Sequence, residues 1–166
     1  MPNVTFHNDP IKLVGNEVQV GDTAPNFNVL SNDLEAVTLE NYEGKVKLIV
    51  SVPSLDTGVC SLETIRFNKE AGNLDNVQVL TISMDLPFAQ TQWCGANGVK
   101  SLDTLSDHRN ADFGKNYGVL IEELRLLTRA VFVVDTNNTV TYVEYVDEVT
   151  NHPNYDQALE AVISAK

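Results

Sequence analysis

Apolar positions in the first half of the chain fall into two kinds of run. VKLIVSV, from Val46 to Val52, is nearly continuous and rich in β-branched residues, the pattern of a central strand covered on both faces. VQVLTIS, from Val77 to Ser83, repeats it. Between them Cys60, Thr64, Phe67 and Ala71 recur at i, i+4, i+7 and i+11, one face of a helix expected over Gly58–Ala71. Glu63, Arg66 and Glu70 are assigned to another face, where they can pair with each other.

The remaining elements follow from the same periods and from turn chemistry. NVTFHN alternates, DP turns and IKLVG returns, which predicts an N-terminal β-hairpin. GDTAPNFNVL ends in a short strand. LPFAQTQWCGANG is expected as a short helix with Pro87 near its start and Gly95 near its end. KSLDTLSD is expected as a strand, NADFGKNYGV as a short helix and a loop, and RAVFVVD and VTYVEYV as strands around the turn TNNT. Pro153 opens a last helix whose inward stripe is Tyr155, Ala158, Leu159, Val162 and Ile163. No linker, repeat or low-complexity tract interrupts the chain, so residues 1–166 are expected to form one domain. The order β-β, then β-α-β-α-β-α, then β-β-α predicts an α/β protein with a mixed β-sheet flanked by helices. A strand, a helix that starts with a cysteine, a parallel strand, and later an antiparallel hairpin and helix match a thioredoxin-like arrangement.

Charge narrows the function. Eleven Lys and Arg stand against 23 Asp and Glu, a net charge of −12, which opposes nucleic acid and anionic membranes as partners. No apolar run approaches the roughly 18 residues of a membrane span. MPNVTFHNDPIK lacks a basic segment followed by an apolar stretch, so a cytoplasmic protein is expected. GANGVKS lacks the Gly-Lys pair of a phosphate loop, and NVT and NNT match the glycosylation pattern with nothing to suggest secretion.

The chain has two cysteines, Cys60 and Cys94, and three scattered histidines, too few close ligands for structural zinc. No cofactor or metal is expected. With no C-x-x-C, a thioredoxin-type dithiol oxidoreductase is disfavoured. The cysteines are then either inert core residues or redox groups. Cys60 falls in the first turn of its helix, where unpaired N–H groups and the helix dipole favour an anion, and a thiolate is the nucleophilic form of cysteine. Pro53 and the turn SLDTG would limit access of solvent, and Thr57 can bring its hydroxyl near the sulfur. Arg129 opens an apolar strand, where a permanent charge is costly. It either packs beside Cys60, stabilising a thiolate and polarising a peroxide O–O bond, or snorkels to water.

Five segments in order carry a family resemblance: APNF at 24–27, PSLDTGVC at 53–60, SMDLPFAQTQWCG at 83–95, FGKNYGV at 113–119 and LLTRAVFVVD at 126–135. Together they resemble the thiol peroxidases, the atypical two-cysteine peroxiredoxins of bacteria, over nearly the whole chain from Thr5 onward. The resemblance implies that Cys60 is the peroxidatic cysteine, oxidised by a hydroperoxide to a sulfenic acid. It implies that Cys94 is the resolving cysteine, closing an intrachain disulfide that thioredoxin reduces. Thr57 and Arg129 match the family's peroxide-activating pair and Pro53 its shielding proline. Hydrogen peroxide and alkyl hydroperoxides as substrates, and a homodimer, are implied in the same way.

The chain departs from the family pattern at Ser61, where Asp is common, at Ile65-Arg66, where two arginines are common, and at Thr128, where Ala is expected. None of these is a residue expected to bond the peroxide. A disulfide needs Cα atoms about 4.4–6.8 Å apart. With the cysteines on successive crossover helices, both segments are expected to loosen during the cycle. Two rival classes are a redox sensor that uses the same disulfide to signal to a partner, and a silent thioredoxin-fold binding module. Asp56 is assigned to the turn or the helix cap, and Trp93 to packing.

Overall fold

The computed structural model describes residues 2–99 and 104–166. Along the chain run β1 (Val4–Phe6), β2 (Asp9–Ile11), β3 (Leu13–Val14), β4 (Asn28–Leu30), β5 (Ala36–Thr38), β6 (Val46–Ser51), α1 (Gly58–Ala71), β7 (Val77–Ser83) and α2 (Pro87–Asn97). Then come β8 (Thr104–Ser106), α3 (Asp112–Asn116), β9 (Leu120–Ile121), β10 (Leu126–Leu127), β11 (Ala130–Val134), β12 (Val140–Tyr145) and α4 (Tyr155–Ser164). The main sheet has the order β12-β11-β6-β7-β8-β4-β5. Its centre, β6-β7-β8, is parallel, and the flanking pairs are antiparallel. This is the expected thioredoxin-like mixed sheet with helices against it.

Alternation along the central strands feeds two cores. Leu48, Val50, Val131 and Val133 face one layer with Phe67, Trp93, Tyr155 and Val162. Ile49 and Phe132 face the other, with Phe27, Phe113 and Tyr117. Side chains of neighbouring strand residues point to opposite faces, so strands apolar at every position serve both layers. Both cysteines belong to the first layer.

The helix over 58–71 and the strands Val46–Ser51 and Val77–Ser83 stand where the periodicity predicts them. Several details differ. The hairpin turns at His7 and Asn8, with φ of 53° and 68°, and not at Asp9-Pro10. Two successive left-handed residues suit a tight hairpin, and Pro10 is tolerated opposite Thr5 because a two-stranded ribbon leaves N–H groups unpaired at its edges. α2 runs past Gly95 and closes at Gly98, whose φ of 68° is the left-handed cap that glycine adopts without strain. The strand expected in KSLDTLSD is seen at Thr104–Ser106, and residues 100–103 lie outside the described residues. In α4, Tyr155, Ala158 and Val162 are buried, whereas Ile163 is exposed, so the inward stripe is narrower than expected. Asn154 caps this helix by accepting from the N–H of Gln157.

Topology decides what meets at the end of β6. The chain leaves β6 at Ser51, passes through Pro53–Thr57 and enters α1. β11 runs antiparallel to β6 with Ala130 opposite Ser51. The residue before β11, Arg129, is thereby carried to the N-terminus of α1 from 69 residues away in sequence.

Candidate active site

Thr57 is the N-cap of α1, with extended backbone, and Cys60 lies in the first turn. Cys60 is fully buried and is a free thiol. Arg129 reaches it with Nη2, 3.1 Å from the sulfur. The same guanidinium donates from Nε to the carbonyl of Val149 at 2.8 Å and from Nη1 to Glu63 Oε1. Three acceptors thus hold a planar fork in one orientation, a task for which the arginine geometry is suited and a lysine is not.

The spacing assigns Glu63, with Arg66 and Glu70, to a face other than that of Cys60 and Phe67, where the three can pair. Arg66 and Glu70 do pair, at 3.0 Å, but Glu63 is fully buried beneath Arg129. The signal was present: Glu63 is three residues after Cys60 and four before Phe67, which puts it on the buried face. Burial pushes its carboxyl up to about 7, with the Arg129 charge and hydrogen bond working against that rise. Its Oε2 is buried without a hydrogen-bond partner among the described residues. For Arg129 burial works against the charge, but Glu63 and Cys60 outweigh it and hold the guanidinium above its ordinary pKa.

A cavity of about 300 Å³ opens over this corner, lined by Pro53, Thr57, Gly58, Val59 and Arg129. Phe6 and His7 of the N-terminal hairpin and Val149 and Thr150 complete the lining. Pro53 is buried and Thr57 exposed. The Thr57 hydroxyl donates to the Ser54 carbonyl at 3.2 Å, and Asp56 is exposed in the turn without capping the helix. The hairpin is held by Glu148. Its carboxylate accepts from the Thr5 hydroxyl at 2.7 Å, the Asn8 N–H at 2.8 Å and both the N–H and hydroxyl of Thr150. Burial pushes this carboxyl up, but those donors outweigh it and hold it at about 2.

Pro53, Thr57 and Arg129 therefore meet at one cavity, with Cys60 against Arg129. Cys94 is not part of that cavity. It is buried on α2 and in no disulfide, its sulfur 3.3 Å from the Thr104 hydroxyl, and Trp93 beside it packs in the same core. No group of three or more His, Cys, Asp or Glu among the described residues is arranged to hold a metal. Nor is any described helix long and apolar enough to cross a membrane.

A thioredoxin-like sheet presenting a buried cysteine at a helix N-terminus, against a fixed arginine, defines a thiol-based redox protein. The Redoxin family model matches residues 19–159. A thiol peroxidase of Oceanobacillus iheyensis is 67% identical over 96% of this chain and 97% of its own length. One of Bacillus subtilis is 57% identical over 97% and 96%. Among solved structures, a peroxiredoxin-like protein from Aquifex aeolicus superposes with a TM-score of 0.93 at 39% identity, covering 100% of this chain and 98% of that one. The chain belongs to the thiol peroxidases of the Redoxin family, and it is an enzyme of the peroxiredoxin kind.

Proposed function

We propose that Cys60 reduces hydrogen peroxide and alkyl hydroperoxides, and that Cys94 resolves the product. The observation that carries this reading is the 3.1 Å contact between Arg129 Nη2 and the Cys60 sulfur. The Cys60 thiolate attacks the distal oxygen of ROOH. The O–O bond breaks, RO⁻ takes a proton and leaves as ROH, and sulfur is oxidised to a sulfenic acid. Arg129 stabilises the thiolate before the attack and the departing oxygen during it, from a preorganised position that needs no rearrangement. Thr57 turns its hydroxyl from Ser54 to the bound peroxide, and buried Pro53 keeps water from the sulfur.

In the second half, the Cys94 sulfur attacks the Cys60 sulfur. The S–S bond forms, and the sulfenic oxygen leaves as water after taking a proton. Thioredoxin's dithiol then returns both cysteines to thiols by exchange, being oxidised to a disulfide itself. The family likeness supports the reductant and a homodimer, and the proposal places the whole cycle in one domain and in the cytoplasm.

The test is intact mass and peptide mapping under non-reducing conditions after one equivalent of hydrogen peroxide, on the wild type and on Cys94→Ser. A Cys60–Cys94 disulfide in the first and a Cys60 sulfenic acid in the second are expected. Two unmodified thiols in both would overturn the assignment.

A further inference from the structure

The segments carrying the two cysteines are tied to one carboxylate that belongs to neither. Asp85 lies between β7 and α2. Its Oδ1 accepts from the Ser54 hydroxyl at 2.7 Å, and its Oδ2 from the Leu55 N–H at 2.8 Å and the Ser83 hydroxyl at 2.8 Å. The Ser83 oxygen in turn accepts from Nε2 of Gln90 at 3.1 Å. Gln90 is fully buried and stands one helical turn before Cys94 on α2. At the other end, the Ser54 carbonyl accepts the Thr57 hydroxyl, three residues before Cys60. A continuous chain Thr57–Ser54–Asp85–Ser83–Gln90 therefore joins the loop in front of Cys60 to the helix that carries Cys94. The backbone of Asp85 is pinned as well, its carbonyl accepting from the Ser106 hydroxyl.

We propose that Asp85 is a positioning residue that holds both cysteine segments closed and makes their release a single event. This rests on reading Cys60 and Cys94 as disulfide partners. In the closed form both thiols are buried, on α1 and α2, and no disulfide joins them; on this reading both segments move before the sulfurs condense. If the segments opened independently, a productive encounter would need two unlikely openings to coincide. With a shared acceptor, losing one set of donors frees the carboxylate to turn, so the other set loses an acceptor held in place. Ser83, which accepts from Gln90 while donating to Asp85, passes the change on through its own hydroxyl. The frequency of this joint opening sets the fate of the Cys60 sulfenic acid. It either condenses with Cys94, releasing water, or meets a second ROOH, whose distal oxygen passes to sulfur to give sulfinic acid and ROH.

Amide hydrogen exchange on the reduced protein tests the coupling without any peroxide chemistry. Asp85→Asn keeps the size of the side chain but loses the charge and turns an N–H₂ toward donors. Exchange in both 53–60 and 87–97 is expected to rise about tenfold, with 130–145 unchanged. Gln90→Leu, which cuts the chain only at α2, is expected to speed exchange in 53–60 too. Ser54→Ala, which cuts it at the loop, is expected to speed exchange in 87–97, and serves if Asp85→Asn does not fold. Loosening confined to the mutated end, or exchange like the wild type at both ends, overturns the coupling. The fraction of Cys60 reaching sulfinic acid at fixed excess peroxide is expected to fall severalfold in Asp85→Asn. An unchanged fraction despite faster exchange overturns the role in partition. Absence of a Cys60–Cys94 disulfide in the wild type would overturn the reading of the cysteines and leave the exchange result standing.

Discussion

Glu63 and Arg129 form an ion pair in which neither side chain is more than 2% exposed. The same guanidinium touches the Cys60 sulfur, so the carboxylate beneath it sets both the orientation and the electrostatic surroundings of the arginine. A fully buried pair of this kind is not a simple source of stability, because desolvation of both charges opposes their attraction. Its value here lies in fixing a cation against the nucleophile.

Arg129→Lys keeps the charge but cannot reach Val149, Glu63 and Cys60 together. The second-order rate with hydrogen peroxide, followed by stopped-flow fluorescence of Trp93, is expected to fall about 100-fold. Arg129→Met leaves a buried carboxyl without its partner. It is expected to lower stability by about 3–5 kcal/mol at pH 8 and by less at pH 5, where Glu63 takes up a proton. An equal loss at both pH values would contradict the role given to Glu63.

Glu63 also gives the wild type a pH-dependent stability. Its folded value of about 7 lies above the ordinary 4.5, so between these limits the native state holds a proton that the unfolded chain releases. This contribution of Glu63 is therefore fully present below pH 4.5, falls as pH rises toward 7, and is flat above. The fall amounts to ~3 kcal/mol. Asp107 acts in the same direction, since burial raises it to about 6 against the N–H groups of Gly114 and Phe113. Urea unfolding at pH 5 and pH 8 is expected to give a smaller difference for Glu63→Gln than for the wild type, the Asp107 contribution cancelling between them.

Glu148 runs the opposite way. Its folded value of about 2 lies below the ordinary carboxylate value, so its contribution is present above pH 4.5 and is lost as pH falls toward 2. Glu148→Ala deprives Thr5, Asn8 and Thr150 of their acceptor. Amide exchange in residues 4–11 at pH 7 is expected to rise about tenfold while that of β6 and β7 stays unchanged. A hairpin as protected as in the wild type would show that the apolar contacts of Val4 with Leu13 and Val149 suffice to hold it.

Thr128 carries a fully buried hydroxyl with no partner among the described residues. Thr128→Val preserves the shape and removes that oxygen. Chemical denaturation is expected to show a gain of ~1 kcal/mol. A loss would mean that the hydroxyl is satisfied in solution by a bound water.

What the sequence determined by itself was local. The bounds of α1, β6 and β7 follow from apolar periods that depend only on residues a few positions apart, and the entry of Cys60 into a helix N-terminus follows with them. The five family segments then named the chemistry. The tertiary structure alone decided which distant groups meet. Arg129 reaches Cys60 because β11 pairs with β6 in the register Ala130 to Ser51. Glu63 becomes the arginine's partner because α1 turns its Cys60–Phe67 face onto the sheet. Asp85 links two loops because β6 and β7 end side by side, Ser51 opposite Ile82. A one-residue change in the β11–β6 register would leave every helical and strand pattern intact and still turn the side chains of β11 to the other face, carrying Arg129 away from Cys60. Pairing between strands distant in sequence is selected by the packing of the whole core, which no local window contains.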